Sequence, residues 1–197
     1  MIVVFNDRND TPYSSKLKIL CENLHQSSLF YHNLPTVTNM PEPTSSRPIL
    51  GDFSSIVCFK AVITGIEEAL GEKATAIALI AAGRTRGKNL ANELGLSGAT
   101  NDLDFIATKL NAALGTSGTR LMAIDKIVQE GDIIKVYCSE TICSAGEPQG
   151  SPRKCTFTLG AVWGALTEIT GKKLHGLHTD SVLRGGTHDV FEFTPVN

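Results

Sequence analysis

The spacing of apolar positions changes character along the chain, and each change predicts a different element. From Phe53 the repeat is helical: Ile56, Phe59, Ile63 and Ile66 form one stripe, Ser54 and Ser55 offer N-caps, and Gly71 offers a stop. A second helix is predicted over residues 72–94, its stripe made of Ala76, Ile80, Gly83, Gly87, Leu90 and Leu94. Gly83 and Gly87 leave a groove on that stripe, so another helix or a flat ligand can approach the backbone. An interior glycine costs a helix about 1 kcal/mol, and tight packing offsets that cost. Arg84, Arg86 and Lys88 interrupt the segment, which argues against a membrane dimer motif. A third helix is expected over 102–114, with Asn101 as N-cap.

The period then becomes two. Residues 120–128 and 133–142 flank Gln129-Glu-Gly-Asp132, a hairpin signature. Ile134, Val136 and Cys138 share the apolar face of the second strand, while Lys135, Tyr137 and Ser139 face the other way. Gly146, Pro148, Gly150 and Pro152 mark residues 144–154 as a loop. A helix over 158–170 follows, with Leu159, Val162, Trp163, Leu166 and Ile169 on one side and Gly171 as its end. A closing hairpin turns at Gly185-Gly186. The order is helices, hairpin, helix, hairpin, which predicts an α+β fold: a four-stranded antiparallel sheet packed against a helical layer.

The first 48 residues read differently. A short helix is expected over 16–29, and Pro35, Pro41, Pro43 and Pro48 then make an extended connector. The predicted organisation is an N-terminal arm, 1–48, followed by a ligand-binding domain, 49–197.

Composition narrows the function classes. A formal charge of -2 gives no reason to expect nucleic acid or an anionic membrane as partner. The longest apolar run, 74–83, is half the length of a membrane span, so no span is expected. Residues 1–5 are too short for a signal-peptide core, and the five cysteines have no framework spacing, so a cytoplasmic chain with reduced thiols is expected.

Cys138, Cys143 and Cys155 invite a zinc reading, but the first two lie an odd number of residues apart on an expected strand, and no C-x-x-C knuckle is present. In the closing hairpin, a Gly185-Gly186 turn pairs Val182 with Asp189, Asp180 with Phe191, and His178 with Phe193. The face carrying both phenylalanines must be the buried one, which places His178 and Asp189 on an apolar face. There they form a hydrogen-bonded packing pair or contact a ligand or a metal. His175 and His188 point the other way. Arg84, Arg86 and Lys88 read as a solvated face, with carboxylate or propionate binding as the sharper alternative. No phosphate loop, dinucleotide fingerprint or H-E-x-x-H string is present, so catalysis is not expected.

The string GEKATAIALIAAGRTRGKNLANELG, a hairpin, Cys155, a glycine-bearing helix and a closing hairpin together resemble the 4-vinyl reductase domain, also called the hydrocarbon-binding domain. The resemblance covers residues 50–195. That family takes its name from a protein of bacteriochlorophyll synthesis, includes the aromatic-sensing domains of phenol- and xylene-responsive activators, and resembles core subunits of the TRAPP tethering complex. The resemblance implies a pocket for a hydrophobic small molecule between helices and sheet, in a homodimer. The pigment-linked branch implies a tetrapyrrole or chlorophyll precursor as ligand, a role in pigment handling, and photosynthetic assembly proteins as partners. A ligand-free TRAPP-like scaffold and an accessory to a vinyl reductase are the alternatives. By face assignment the expected pocket walls are Phe59, Ile63, Gly83, Gly87, Tyr137 and Trp163, with His178 and Asp189. Cys58 lies near the acylated cysteine of TRAPP relatives. The sensor branch also holds zinc, at positions that match Cys155, His178, Ser181 and Asp189; only the first keeps its residue type, so no stable zinc site is expected.

Overall fold

The computed structural model describes residues 55–99 and 101–196, which fall within a unit running from Arg47 to Asn197. The expected arm, with its 16–29 helix and proline connector, lies outside the described residues. Helix α1 (Ile56–Leu70) starts where Ser55 accepts a hydrogen bond from the Val57 amide at 3.2 Å. Gly71, at φ 79°, ends it and starts α2 (Glu72–Glu93) without a linker. Helix α3 (Leu103–Leu114) is capped by Asp102, whose carboxylate accepts from the amides of Asp104 and Phe105 at 3.1 and 3.0 Å. The cap expected at Asn101 therefore sits one residue later, on the side chain that reaches both amides.

Strands β1 (Ala123–Glu130) and β2 (Ile133–Ser139) form the first hairpin, turning at Gly131 with φ 61°. Both are shorter at the open end than the pattern predicts, because Arg120 and Glu140 adopt positive φ of 54° and 51° and break the extended backbone. Helix α4 (Thr156–Thr170) begins two residues before its expected start and ends at Gly171 in the left-handed conformation, φ 68°. Strands β3 (Leu174–Asp180) and β4 (Asp189–Pro195) close the domain. The sheet is antiparallel throughout in the order β1-β2-β4-β3.

The closing hairpin departs from the predicted register. His178 pairs with Phe191, Gly176 with Phe193, and Asp180 with Val190 across a bulge. There is no two-residue turn at Gly185-Gly186. The Ser181 hydroxyl accepts from the Leu183 amide and opens a single 3-10 turn, Val182–Arg184, so the connection is longer. His178 has slipped from Phe193 to Phe191, an even number of residues, which keeps it on the inward face.

The core lies between the inner face of the sheet and the helices. Ile124, Ile127, Ile134, Val136, Phe191 and Phe193 meet α3 through Ile106 and Leu110, and α4 through Val162 and Leu166. Helix α2 packs on the far side of α4 at unusually short range. A Cβ at Gly83 or Gly87 would overlap the carbonyls of Phe157 and Ala161, and one at Gly160 or Gly164 would overlap those of Ile80 and Arg84. Four glycines interlock two helices here, which supplies the tight packing that interior glycine requires.

Candidate functional site

Residues from three parts of the chain converge on Asp189, the first residue of β4, which is fully buried beside Cys138 of β2. One carboxylate oxygen, Oδ2, accepts from Thr141 Oγ1 at 2.5 Å and from Ser144 Oγ at 2.8 Å, both in the bend after β2. The other, Oδ1, accepts from Ser181 Oγ at 2.7 Å and faces His178 Nε2 at 3.3 Å. That last contact is out of line, so Nε2 makes no hydrogen bond among the described residues. Burial pushes the Asp189 carboxyl up, but His178, Thr141, Ser181 and Ser144 together outweigh it and hold the group well below the usual carboxylate range.

Cys155, the N-cap of α4, joins the cluster. Its Sγ lies 3.5 Å from Thr141 Oγ1 and 3.6 Å from Ser144 Oγ, and its amide donates to His178 Nδ1 at 3.2 Å. Cys143, also buried, has its Sγ 3.6 Å from the Thr158 hydroxyl, which donates to the Cys155 carbonyl at 3.2 Å. With Cys155 the largest cause and burial opposing it, the Cys143 thiol is lowered to about 7. Its contact with Cys143, and burial, push the Cys155 thiol up.

The sulfur of Cys155, a ring nitrogen of His178 and an oxygen of Asp189 lie within 4.8 Å of one another, three of the four positions that the resemblance compared with a zinc set. Their hydrogen bonding does not fit a metal. A ligating histidine donates through its second nitrogen, whereas His178 Nδ1 accepts from the Cys155 amide, which puts the neutral ring's proton on Nε2, the atom facing Asp189. Three hydroxyls already donate to the carboxylate. Ser181 spends its hydroxyl on the same carboxylate and accepts from the Leu183 amide.

Of the eight residues expected to wall a pocket, only His178 and Asp189 belong to this cluster. Phe59 meets Phe157 edge to face at 5.3 Å, and Ile63 is the buried residue of α1. Gly83 and Gly87 meet the backbone of α4, which leaves no room for a flat ligand between them. Tyr137 lies on the sheet face away from the helices, under Lys126 at 4.3 Å and beside His188 at 5.7 Å. Trp163 donates to the Leu174 carbonyl at 2.8 Å and carries Arg84 over its ring at 4.6 Å. Tyr137 and Trp163 therefore share no pocket. Arg86 and Lys88 pair with Glu93 and Glu168 at 3.0 and 3.7 Å, as a solvated face does. The hydroxyls of Thr141 and Ser144 were invisible to alternation, because strand β2 ends at Ser139 and the odd spacing of Cys138 and Cys143 carries no face information beyond it. The local density of cysteine, serine and threonine in CSETICSAG was the available signal.

A cleft of about 480 Å³ opens elsewhere, lined by Glu67, Lys73, Arg153 and Lys154 among others, and is too charged to suit an apolar molecule. Apolar surface is exposed instead on α1, at Ile56, Val57, Val62 and Leu70, and at Ile77 of α2. Cys58 of α1 is exposed as well. No helix among the described residues is long and apolar enough to cross a membrane.

No protein-family model and no curated protein matches the chain. Solved structures do. The phenol-responsive sensory domain of the transcription activator PoxR, solved with phenol, is 12% identical with a TM-score of 0.55, over 73% of this chain and 76% of that one. A trafficking protein particle complex subunit 3 from Naegleria fowleri, covalently bound to palmitic acid, is 12% identical with a TM-score of 0.51, over 72% and 93%. The fold is shared with both. Identity this low shows the architecture alone, an α+β domain with a four-stranded antiparallel sheet.

Proposed function

We propose that this domain holds an apolar small molecule without transforming it. The observation that carries the reading is the apolar surface that α1 leaves exposed at Ile56, Val62 and Leu70, on the helix that also carries the Phe59–Phe157 pair, in a fold whose solved neighbours carry phenol in one case and palmitic acid in the other. Ile56, Val62 and Leu70 stand exposed beside the stripe whose Ile63 is buried, and burial of each large side chain contributes about 1.5–3 kcal/mol. A flat or chain-like ligand that covers this stripe, alone or between two copies of the domain, removes the exposed surface. Within that class a tetrapyrrole or chlorophyll precursor, carried in a photosynthetic cytoplasm for assembly proteins, is the ligand that the pigment-linked resemblance favours.

A second reading has its own support. Buried side chains pack between helices and sheet, and the glycines close the gap between α2 and α4, as suits a ligand-free scaffold that pairs through α1. Native mass spectrometry of the purified full chain, with light scattering for oligomeric state, separates the two. A bound small molecule at one per domain supports the carrier. A dimer with no added mass, unaffected by phenol, palmitate or protoporphyrin, supports the scaffold and removes the carrier.

A further inference from the structure

We propose that the cluster around Asp189 is a metal-free staple, in which the hydroxyls of Thr141, Ser144 and Ser181 replace a zinc ion as the cross-link between loop, helix and hairpin. The three contacts on this one carboxylate span 48, 45 and 8 residues of chain. Through Cys155, whose amide bonds to His178 and whose sulfur lies beside both loop hydroxyls, the same cluster anchors the first turn of α4. A tetrahedral metal joins distant segments in the same way, by binding one ligand from each. Here an anion sits at the centre and O–H donors surround it, so the polarity of the cross-link is reversed.

The donor set explains why a cation has no place. Each carboxylate oxygen already receives hydroxyl hydrogens, so a metal would have to displace charge-assisted bonds in a site with no solvent access. Thr141 and Ser144 match none of the positions that the resembled zinc set uses. They put two donors on Oδ2, the oxygen that Ser181 and His178 do not reach. The inference stands whether or not α1 binds a ligand.

The test uses the full chain, exposed to zinc and then dialysed, with metal content measured and thermal melts run with and without EDTA. Expected are fewer than about 0.1 zinc per chain and no chelator effect on Tm, while Thr141→Val with Ser144→Ala lowers Tm by roughly 5 °C or more. About one zinc per chain that survives dialysis, with Tm falling on chelation, overturns the proposal. So does a zinc-free protein in which the double variant melts unchanged. If the double variant does not fold, the wild-type zinc content and the chelator melt still decide.

Discussion

Replacing Gly87 by alanine tests how α2 meets α4. The added Cβ would overlap the Ala161 carbonyl oxygen and lie 2.8 Å from both the Ala161 carbonyl carbon and the Ala165 amide nitrogen. These are backbone atoms, so no side chain can swing away and the two helices must separate. Overpacking of this kind costs about 1–3 kcal/mol, against a gain of about 1 kcal/mol in helix propensity. The upper part of that range applies because backbone resists, for a net loss of about 1–2 kcal/mol. At about 2–4 °C per kcal/mol for a domain of this size, Tm falls by about 2–8 °C. Gly65 on α1 is the control: a Cβ there meets nothing within 4 Å, so Gly65→Ala keeps the propensity gain and raises Tm by about 2–4 °C. Paired melts by circular dichroism read the two signs. If Gly87→Ala raises Tm as Gly65→Ala does, the helices are not interlocked and the groove is open to a ligand.

Asp189 makes stability depend on acid. Its carboxyl is lowered in the folded state, so its contribution is present above the unfolded value near 3.9 and is lost as pH falls toward the folded one. Acid unfolding of the wild type should therefore steepen below about pH 4, and Asp189→Asn should be less stable at neutral pH and flatter in acid; parallel profiles would refute this. Arg153 ties the loop to α1 through Glu67 at 2.9 and 3.0 Å and lies 2.8 Å from Glu147, so Arg153→Lys should speed amide exchange in residues 144–154 while leaving β4 unchanged. Uniform exchange across both regions would contradict it. Iodoacetamide should modify exposed Cys58 in the native protein and spare buried Cys143 despite its lowered thiol; equal labelling would show that the cluster opens.

Much of the architecture was legible because its signals are local. Ser55 before an apolar stripe, Gly71 and Gly171 as stops, and the strict alternation of Ile134, Val136 and Cys138 each depend on near neighbours. The interlock of Gly83 and Gly87 was legible as a groove, but its occupant was not, since only the tertiary structure brings Gly160 and Gly164 opposite. His178 and Asp189 were placed on one face despite a wrong register, because a slip by an even number of residues preserves sidedness. Face assignment did not say which side of the sheet the helices cover, so Tyr137 was grouped with residues on the opposite face. Thr141 and Ser144 lie 48 and 45 residues from their partner in an irregular bend, and no periodicity reports such a contact.

The central claim is that the apolar side of α1 holds a small apolar molecule, and a thermal titration tests it most directly. The full chain is melted at increasing phenol, palmitate or protoporphyrin, beside a Val62→Glu variant that places a charge on the exposed stripe. At a hundredfold excess over Kd, a ligand bound to the folded state alone adds about 2.7 kcal/mol, which raises Tm by about 5–11 °C. The account predicts that rise for at least one of the three ligands, and its loss in the variant. No shift with any of them, or an equal shift in the variant, contradicts it.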